Sequence, residues 1–494
     1  MNILGLSGGF HDAAATVIDR SGRILFAAHS ERYSKKKNDA NLDCGMLEQC
    51  VGYGIDHIVW YERPWLHNVQ QLISGQKLYG AWTAKSVVKS HMNQHWPGDH
   101  VKISSVSHHL SHAAAGFQTS GFDRAAVVVC DAIGELDTVS IYLASYSAQG
   151  QAQYQRLWRQ SYPHSIGLFY SAVTESVGLR PMEEEYITMG MAAYGSALGA
   201  DRLRQQLIAD ISTARFKTNL HVGLPTEDRE WISHEDLAAS AQCLTEQLIH
   251  SIMHRAQDLT GCRDLVYMGG VALNCVANAR VLGDFFDRVW IMPNPGDAGS
   301  SLGAAALMHG QRLQWQNAFL GHEITGPYPV QDTLHELLNK QIVGVASGRA
   351  EFGPRALGNR SLLADPRGTD IKDRVNLIKR RQKFRPFAPV ILEEHVHEYF
   401  RMPSPWQESR YMQTVAQVYR PDLYPAISHV DGSARVQTVP ADGSGIRQLL
   451  ETWYAQTGCP MLLNTSLNIR GEPMVNDRAD ADRFERLYGV RVCS

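Results

Sequence analysis

Short apolar blocks, set off by glycine turns, organise the first third of the chain. Ile3 to Leu6 reads as a strand, Gly8-Gly9 as a tight turn and Ala13 to Ile18 as a second strand. Arg20-Ser21-Gly22 then forms a hairpin before a third strand from Arg23 to Ala28. The same order returns with Ala125 to Val129 as a strand, Asp131 to Glu135 as a turn, Thr138 to Ser145 as a strand, Gln149-Gly150-Gln151 as a hairpin and Tyr154 to Trp158 as a strand. Between Ser233 and Ala256 the period changes: Leu237, Ala241, Leu244, Leu248 and Ile252 recur at helical spacing behind a Ser233/Asp236 capping pair, which predicts a core-facing helix. Leu265 to Met268 predicts a strand running into Gly269-Gly270-Val271-Ala272-Leu273-Asn274. Val289 to Met292 predicts another, running into Pro293 to Ser301 and a helix from Leu302 to Met308. Gly321 to Gln331, with two prolines, two glycines and no periodicity, predicts a linker between domains at 1–325 and 333–494. The second domain opens with a strand from Ile342 to Ala346 and is long enough for one further α/β unit.

The repeated strand-turn-strand-hairpin-strand opening predicts a duplicated α/β domain similar to actin and the sugar kinases, with paired turns facing a nucleotide phosphate between two lobes. Two unrelated β-meanders are the plainer alternative. Composition then narrows the class. A chain of 494 residues, 44% hydrophobic and with a net charge of −3, can bury large cores and carries no charge excess that demands nucleic acid or a membrane. The start lacks a basic leader, and no apolar run nears the ~20 residues of a membrane span, so a soluble cytoplasmic protein is expected. Eight cysteines without a Cys-x-x-Cys pair indicate neither a zinc knuckle nor a disulfide framework.

Candidate chemistry begins at Ser107-His108-His109-Leu110-Ser111-His112. His108 and His112, four apart on a helix, leave one face and can grip one metal ion, although a capped helix with structural histidines would look the same. Asp297, on a glycine-flanked strand-to-helix turn, can complete such a site for iron(II), manganese or zinc, or can simply cap the helix. His11-Asp12, after the first glycine turn, pairs an imidazole with a carboxylate that can orient it or deprotonate a hydroxyl. Lys35, Lys36 and Lys37 offer a phosphate contact or a solvated charge run. In the second domain, Arg355 in Gly353 to Arg360, Lys379 and Arg385 in Lys379 to Phe387, Arg435 and Arg470 sit on or beside Gly and Pro turns. Rigidly held guanidinium forks suit phosphate or carboxylate oxygens, so an anionic small-molecule pocket is expected, with Arg380, Arg381 and Lys383 read as surface ion pairs.

Assembled, these segments resemble the O-carbamoyltransferase family of nodulation-factor, cephamycin and tobramycin carbamoylating enzymes. The matches are Gly9-Phe10-His11-Asp12-Ala13-Ala14, the His108/His112 block, Met189-Gly190-Met191-Ala192, Gly269 to Asn274, Asn294-Pro295-Gly296-Asp297, Glu351 to Arg360, Arg385 to Pro389, His429-Val430-Asp431-Gly432 and Asn464 to Asn468. The resemblance implies an actin-like metal- and nucleotide-binding transfer domain, followed by an α/β domain resembling threonylcarbamoyl-AMP synthase. It further implies that carbamoyl phosphate is cleaved to carbamate, which attacks ATP to give carbamoyl-adenylate and pyrophosphate, before the carbamoyl group passes to an acceptor hydroxyl. Under it, Arg355, Lys379, Arg385, Arg435 and Arg470 map to carbamoyl phosphate. Asp131, Gly269, Gly270, Asn274 and Gly296 map to nucleotide, and His108, His112 and Asp297 to a metal, iron(II) first, with Mg2+ accompanying ATP. His11 is the expected proton acceptor and Asp12 its orienting partner. Two departures stand out: Asp131-Ala132 replaces the family's Asp-Gly, and Ile187 replaces a lysine before Met189-Gly190.

The motifs leave the acceptor open between a hydroxylated small molecule and a hydroxymethylated pyrimidine nucleotide or DNA, and the chain is expected as a monomer or homodimer. The stretch from Arg63 to Lys102 interleaves Trp65, Tyr79, Trp82 and Trp96 with Lys77, Lys85, Lys89 and Lys102. With Asp99 as its one carboxylate, the stretch can stack a base and meet a phosphate, or simply pack onto the domain. A kinase-like ATPase on the same fold, or a protein of tRNA threonylcarbamoylation, are the alternatives; ATP consumption that requires carbamoyl phosphate separates them from a carbamoyltransferase.

Overall fold

The computed structural model describes all residues except 76–79, 93, 94, 96, 97, 99, 226–230 and 341, so Lys77, Tyr79, Trp96 and Asp99 lie outside the described residues. The chain divides into two compact units: Met1–Ser34 with Asn38–Gln316, and Asn317–Ser494 with Lys35–Lys37.

The first unit is built twice over. In one five-stranded sheet the order is Ile24–His29, Ala14–Ile18, Ile3–Ser7, His57–Trp60 and Lys102–Ser105; in the other it is Ala152–Ser161, Asp137–Tyr146, Arg124–Gly134, Asp264–Met268 and Arg288–Trp290. In both, the first two pairings are antiparallel and the last two parallel. The same order and sense in two stretches of unlike sequence mark a duplicated actin-like α/β domain rather than two unrelated meanders. The central strands are apolar without alternation and buried along their length, as strands covered on both faces must be.

Two short helices pack against the sheets, and small residues set their spacing. Ser300–His309 lies on the first sheet, where a methyl group on Gly5 would sit 1.9 Å from the Ser301 carbonyl oxygen. His108–Phe117 lies against the second sheet, where a methyl on Gly116 would meet Val266 at 2.4 Å. The helices touch at Gly303, where a Cβ would come to 1.7 Å from the Ser111 carbonyl oxygen. Such backbone-to-backbone approach is available only without a side chain. The predicted helix after Ser233 runs His234–Thr260, and the Ser233 hydroxyl accepts from the Asp236 amide at 3.1 Å, while the Asp236 carboxylate instead accepts from the Ser196 amide at 2.7 Å.

One predicted turn is absent. Asp131 to Gly134 continues the strand through an irregular ladder, so the reversal narrows to Glu135-Leu136. Ala132 therefore needs no left-handed conformation; that role falls to Glu135, at φ 58°. Ile187 is buried in the helix Glu185–Met191, packed where a lysine would have to desolvate its charge.

The second unit centres on a six-stranded mixed sheet ordered Gln437–Val439, Ala388–Leu392, Met461–Ser466, Arg360–Ala364, Ile342–Ala346 and Val492–Cys493. Its strands alternate between two cores. Val343, Val345, Leu363, Val390 and Leu462 join Leu337, Leu449 and Trp453 of the helices Val330–Lys340 and Gly445–Thr457 on one face. Ile342, Ala346, Leu362, Ile391 and Leu463 join Ile371, Val375 and Phe484 of Ile371–Ile378 and Arg478–Tyr488 on the other. This is the period-2 signature of a sheet covered on both sides. The segment expected as linker differs: Phe319–Ile324 is a strand paired with Gly348–Glu351, and Pro329 precedes the helix Val330–Lys340, so its Gly and Pro residues serve a strand end and a helix start. No helix among the described residues is long and apolar enough to cross a membrane.

Candidate active site

The polyalanine run Ala113-Ala114-Ala115 favours a helix over His108–Phe117, and the helix carries His108 and His112 on one face, both buried. Asp131 reaches them from the strand Arg124–Gly134, and Asp297 from the turn Asp297–Gly299 that starts the next helix. One ligand atom from each of the four lies within 4.8 Å of the others. His108 Nε2 stands 3.4 Å from Asp131 Oδ2 and 3.4 Å from Asp297 Oδ1; His112 Nε2 stands 3.2 Å and 3.3 Å from the same atoms, and the two nitrogens are 3.1 Å apart. Donors about 2.1 Å from a shared cation are about 3.0 Å apart at right angles and about 3.4 Å apart in a tetrahedron, and these five distances fall in that range, so the residues fit a divalent metal.

The His112 Nδ1–H donates to the Pro295 carbonyl at 3.0 Å, which leaves its Nε2 lone pair for the cluster. Gly134 lets the strand pass: a Cβ there would meet His108 Cδ2 at 2.4 Å and His109 Cδ2 at 2.5 Å. Burial opposes every charge in this group, yet in the metal-free chain the mutual attraction prevails. Burial works against charged His108 and His112, but Asp297 and Asp131 raise both above the ordinary histidine range. Burial likewise works against ionised Asp131 and Asp297, but the histidines hold both below the carboxylate range.

His11 lies at the edge of this cluster, its Nδ1 3.1 Å from Asp12 Oδ2 and its Nε2 3.7 Å from Asp297 Oδ2. Burial disfavours its charge, but the Asp12 hydrogen bond with Asp297 and Asp131 nearby outweighs this and raises its pKa to about 9. With 23% of its side chain exposed, against 11% or less for the four residues of the cluster, it is reached by solvent more readily than they are. The glycine turn adjoins the same cluster. Gly269, at φ 90°, donates its amide to the Pro295 carbonyl at 2.9 Å, and a Cβ there would strike the Cys130 carbonyl oxygen at 2.2 Å. The Gly270 amide donates to Asp131 Oδ1 at 3.2 Å. Gly296 has open space where its side chain would be. Asn274 faces elsewhere: its oxygen caps the Ala277 amide at 3.0 Å and its amide donates to Gln242 at 3.0 Å.

The cationic residues of the second unit converge by topology. Arg355 precedes the strand Arg360–Ala364, Arg385 precedes Ala388–Leu392, and Arg435 precedes Gln437–Val439. Lys379 and Arg470 join at the end of the antiparallel strand Met461–Ser466 through the Arg470 amide, which donates to the Lys379 carbonyl at 3.0 Å. Lys379 and Arg470 thus meet at this end of the sheet, where the segments carrying Arg355 and Arg385 enter their strands, and Arg435, last residue of Ser433–Arg435 in a separate three-stranded sheet, leads into Gln437–Val439 at the same end. Lys379 is buried; its three N–H groups are shared among Ser466 O, Ser466 Oγ, Asn468 O and Asn468 Oδ1, 2.5–3.1 Å away, and so fix the turn that carries Arg470. Burial, with Arg381 and Arg385 nearby, holds its pKa well below the ordinary lysine range. Arg380 and Arg381, expected as surface ion pairs, lie over the rings of Tyr488 and Phe387, and Lys35 is engaged by Asp480. Trp65 and Trp82 are half exposed.

The sequence reading assigned no role to two residues that hold Arg355's loop. Arg360, fully buried, donates to the carbonyls of Asn476, Ser347, Asn359, His322 and Gly348 at 2.8–3.2 Å. Glu351 Oε1 accepts from the amides of Leu357, Asn359 and Arg360 at 2.8–3.2 Å. Their place at both ends of Glu351 to Arg360 is the signal that could have found them. Asp131 was expected at the nucleotide; from within the strand Arg124–Gly134 its carboxylate reaches the two histidines and also accepts from the Gly270 amide of the glycine turn.

A duplicated actin-like α/β unit with a buried two-histidine, two-carboxylate cluster, followed by an α/β unit with cations gathered at one sheet end, defines a group-transfer enzyme of two parts. The family described as Carbamoyltransferase N-terminus matches residues 59–306, and Carbamoyltransferase C-terminus matches residues 334–492. The chain is 34% identical to "Uncharacterized protein sll1178" of Synechocystis over 98% of this chain and 94% of that one, and 31% identical to nodulation protein NolNO of Sinorhizobium fredii over 97% and 80%. It is 28% identical to 3'-hydroxymethylcephem-O-carbamoyltransferase of Amycolatopsis lactamdurans over 99% and 97%. The chain belongs to the carbamoyltransferase family and is an enzyme that transfers carbamoyl groups.

Proposed function

We propose that this enzyme is an ATP-dependent O-carbamoyltransferase that draws its carbamoyl group from carbamoyl phosphate and passes it, through carbamoyl-adenylate, to a hydroxyl. The observation that carries the reading is the convergence of the segments carrying Arg355, Lys379, Arg385, Arg435 and Arg470 at one sheet end, in a chain whose other unit holds a buried cation-ready cluster. In the second unit, the guanidinium forks bind the phosphate of carbamoyl phosphate, and Lys379 keeps Arg470 in place by fixing its turn. Water cleaves carbamoyl phosphate to carbamate and phosphate. A carbamate oxygen then attacks the α-phosphorus of ATP, breaking its bond to the bridging oxygen and releasing pyrophosphate, with Mg2+ accompanying the nucleotide. Carbamate decomposes in water, which is a reason to make and adenylate it in one enclosed place.

In the first unit, the Gly269-Gly270 turn brings backbone close to the nucleotide, with Gly296 leaving room on the other turn. His108, His112, Asp131 and Asp297 would hold a divalent metal, iron(II) first, which when bound supplies Lewis acidity toward the carbamoyl carbonyl. Asp12 holds the His11 tautomer at Nδ1. Burial opposes the charge of this imidazole, but Asp12, Asp297 and Asp131 raise its pKa to about 9; with the charges of Asp297 and Asp131 offset by a bound cation, Nε2 would be free to take the proton of the acceptor hydroxyl as its oxygen attacks the carbonyl carbon and AMP leaves. The acceptor is a hydroxylated small molecule or a hydroxymethylated pyrimidine nucleotide or DNA.

The test is mass spectrometry of anaerobic reactions containing ATP, carbamoyl phosphate, iron(II) and a panel of acceptors from aminoglycosides to 5-hydroxymethylcytosine nucleotides. Formation of AMP and pyrophosphate that requires carbamoyl phosphate, with an acceptor gaining the mass of one carbamoyl group, is the expected result. ATP turnover indifferent to carbamoyl phosphate overturns the reading in favour of a kinase-like ATPase.

A further inference from the structure

We infer that Glu62 is a positioning residue for this site: its buried carboxylate takes the Nδ1 side of His108, so that the Nε2 lone pair is aimed at the cation the cluster would hold. The inference rests on reading His108, His112, Asp131 and Asp297 as a cation site. The two histidines are not alike in their support. His112 donates Nδ1–H to the Pro295 carbonyl at 3.0 Å, whereas His108 Nδ1 is buried with no hydrogen-bond acceptor in reach, and the carboxylate facing it is Glu62, with Oε2 at 3.7 Å. A shift of under about 1 Å brings that pair into hydrogen-bonding range. Glu62 is 3% exposed, and burying a carboxylate is costly unless donors face it; the rings that face it are His67, whose Nδ1 stands 3.2 Å away, and His108 at 3.7 Å.

The backbone around Glu62 is held on both sides. The Tyr61 amide donates to the Leu6 carbonyl at 3.0 Å. The Arg63 amide donates to Glu135 Oε1 at 2.7 Å, and the Arg63 guanidinium spans the same carboxylate at 2.6–3.2 Å. Glu135 follows Gly134, the residue that lets the Asp131 strand pass His108. One hairpin therefore delivers Asp131 to the front of His108 and fixes Glu62 behind it. A carboxylate on the remote nitrogen sets the tautomer of a ligating imidazole and makes it more basic, and loss of such a partner typically lowers metal affinity about 10–100-fold.

The experiment is a cobalt(II) titration of the full-length metal-free protein, followed by visible absorption, for the wild type, Glu62→Gln, Glu62→Asp and His67→Gln. The expected result is one cobalt(II) per chain in the wild type and a dissociation constant weaker by ~10–100-fold in Glu62→Gln at unchanged thermal midpoint. A smaller loss in Glu62→Asp and wild-type affinity in His67→Gln complete the expected pattern. Wild-type affinity in Glu62→Gln overturns the inference, as does an equal loss in His67→Gln, which would mean that the carboxylate serves His67 instead. If Glu62→Gln does not fold, Glu62→Asp decides, with an unchanged constant and spectrum counting against the role. Wild-type protein that takes up no cobalt(II) removes the cation-site reading itself, and the inference with it.

Discussion

Arg360→Lys is the substitution that most directly tests how the second unit holds its cationic loop. The arginine is fully buried and donates to five different backbone carbonyls, those of Asn476, Ser347, Asn359, His322 and Gly348. An ammonium has three donors and no fixed fork, so at least two of the five carbonyls lose their partner in a place water does not reach. At about 1–3 kcal/mol for each buried group left unsatisfied, the substitution should cost roughly 2–6 kcal/mol. The loss is directed. Ser347, Gly348 and Asn359 flank the loop that carries Arg355, His322 lies on the strand paired beside it, and Glu351 gathers the amides of Leu357, Asn359 and Arg360 from the other side. Hydrogen exchange read by mass spectrometry should therefore show deprotection of residues 347–360 and 476, with the strands of the first unit unchanged, and the KM for carbamoyl phosphate should rise. Arg360→Lys protein with wild-type exchange in 347–360 and a wild-type KM would refute the reasoning, because it would show that the five carbonyls find other partners at no cost.

Three further outcomes are expected. His11→Ala should leave carbamoyl-phosphate-dependent ATP–pyrophosphate exchange near wild type and suppress product formation about 100-fold or more, the usual contribution of a positioned base; loss of both activities would remove the assigned role. Because burial and its arginine neighbours hold Lys379 below the ordinary lysine range, the unfolded chain binds more protons than the native one between those two values, so stability should rise with pH across that window and level off above it. Lys379→Met should flatten that rise in urea midpoints measured through the alkaline range. Gly303→Ala would place a methyl 1.7 Å from the Ser111 carbonyl oxygen and should destabilise the first unit by at least about 1–3 kcal/mol, seen as a lower thermal midpoint and weaker cobalt(II) uptake, since the displaced helix carries His108 and His112.

Local pattern made much of this protein legible. The apolar blocks at Ile3, Ala14, Arg124 and Asp264 are strands because nothing but close packing on both faces suits such runs, and the repeated order of strand, turn and hairpin foretold two sheets of identical topology. The helical spacing of His108 and His112 implied a shared face, which the polyalanine run after them makes helical. The sequence could not say which carboxylates meet that face, because the answer depends on how two sheets and two helices pack through Gly5, Gly116, Gly134 and Gly303, residues that look alike in a linear chain. Asp131 was thus placed beside the histidines only once the strand was seen to run on through Gly134, and Glu62 behind His108 only once the hairpin that follows that strand was seen to clamp its neighbour Arg63. In the second unit the arginines beside Gly and Pro raised the expectation of an anion site, but where their segments come together is a property of strand register, and the lysine and arginine that hold their loops are buried charges whose partners are mostly backbone carbonyls. Side-chain chemistry is written in the sequence; backbone partners and the distances between remote segments are fixed by tertiary packing, which is where this cluster and its support were decided.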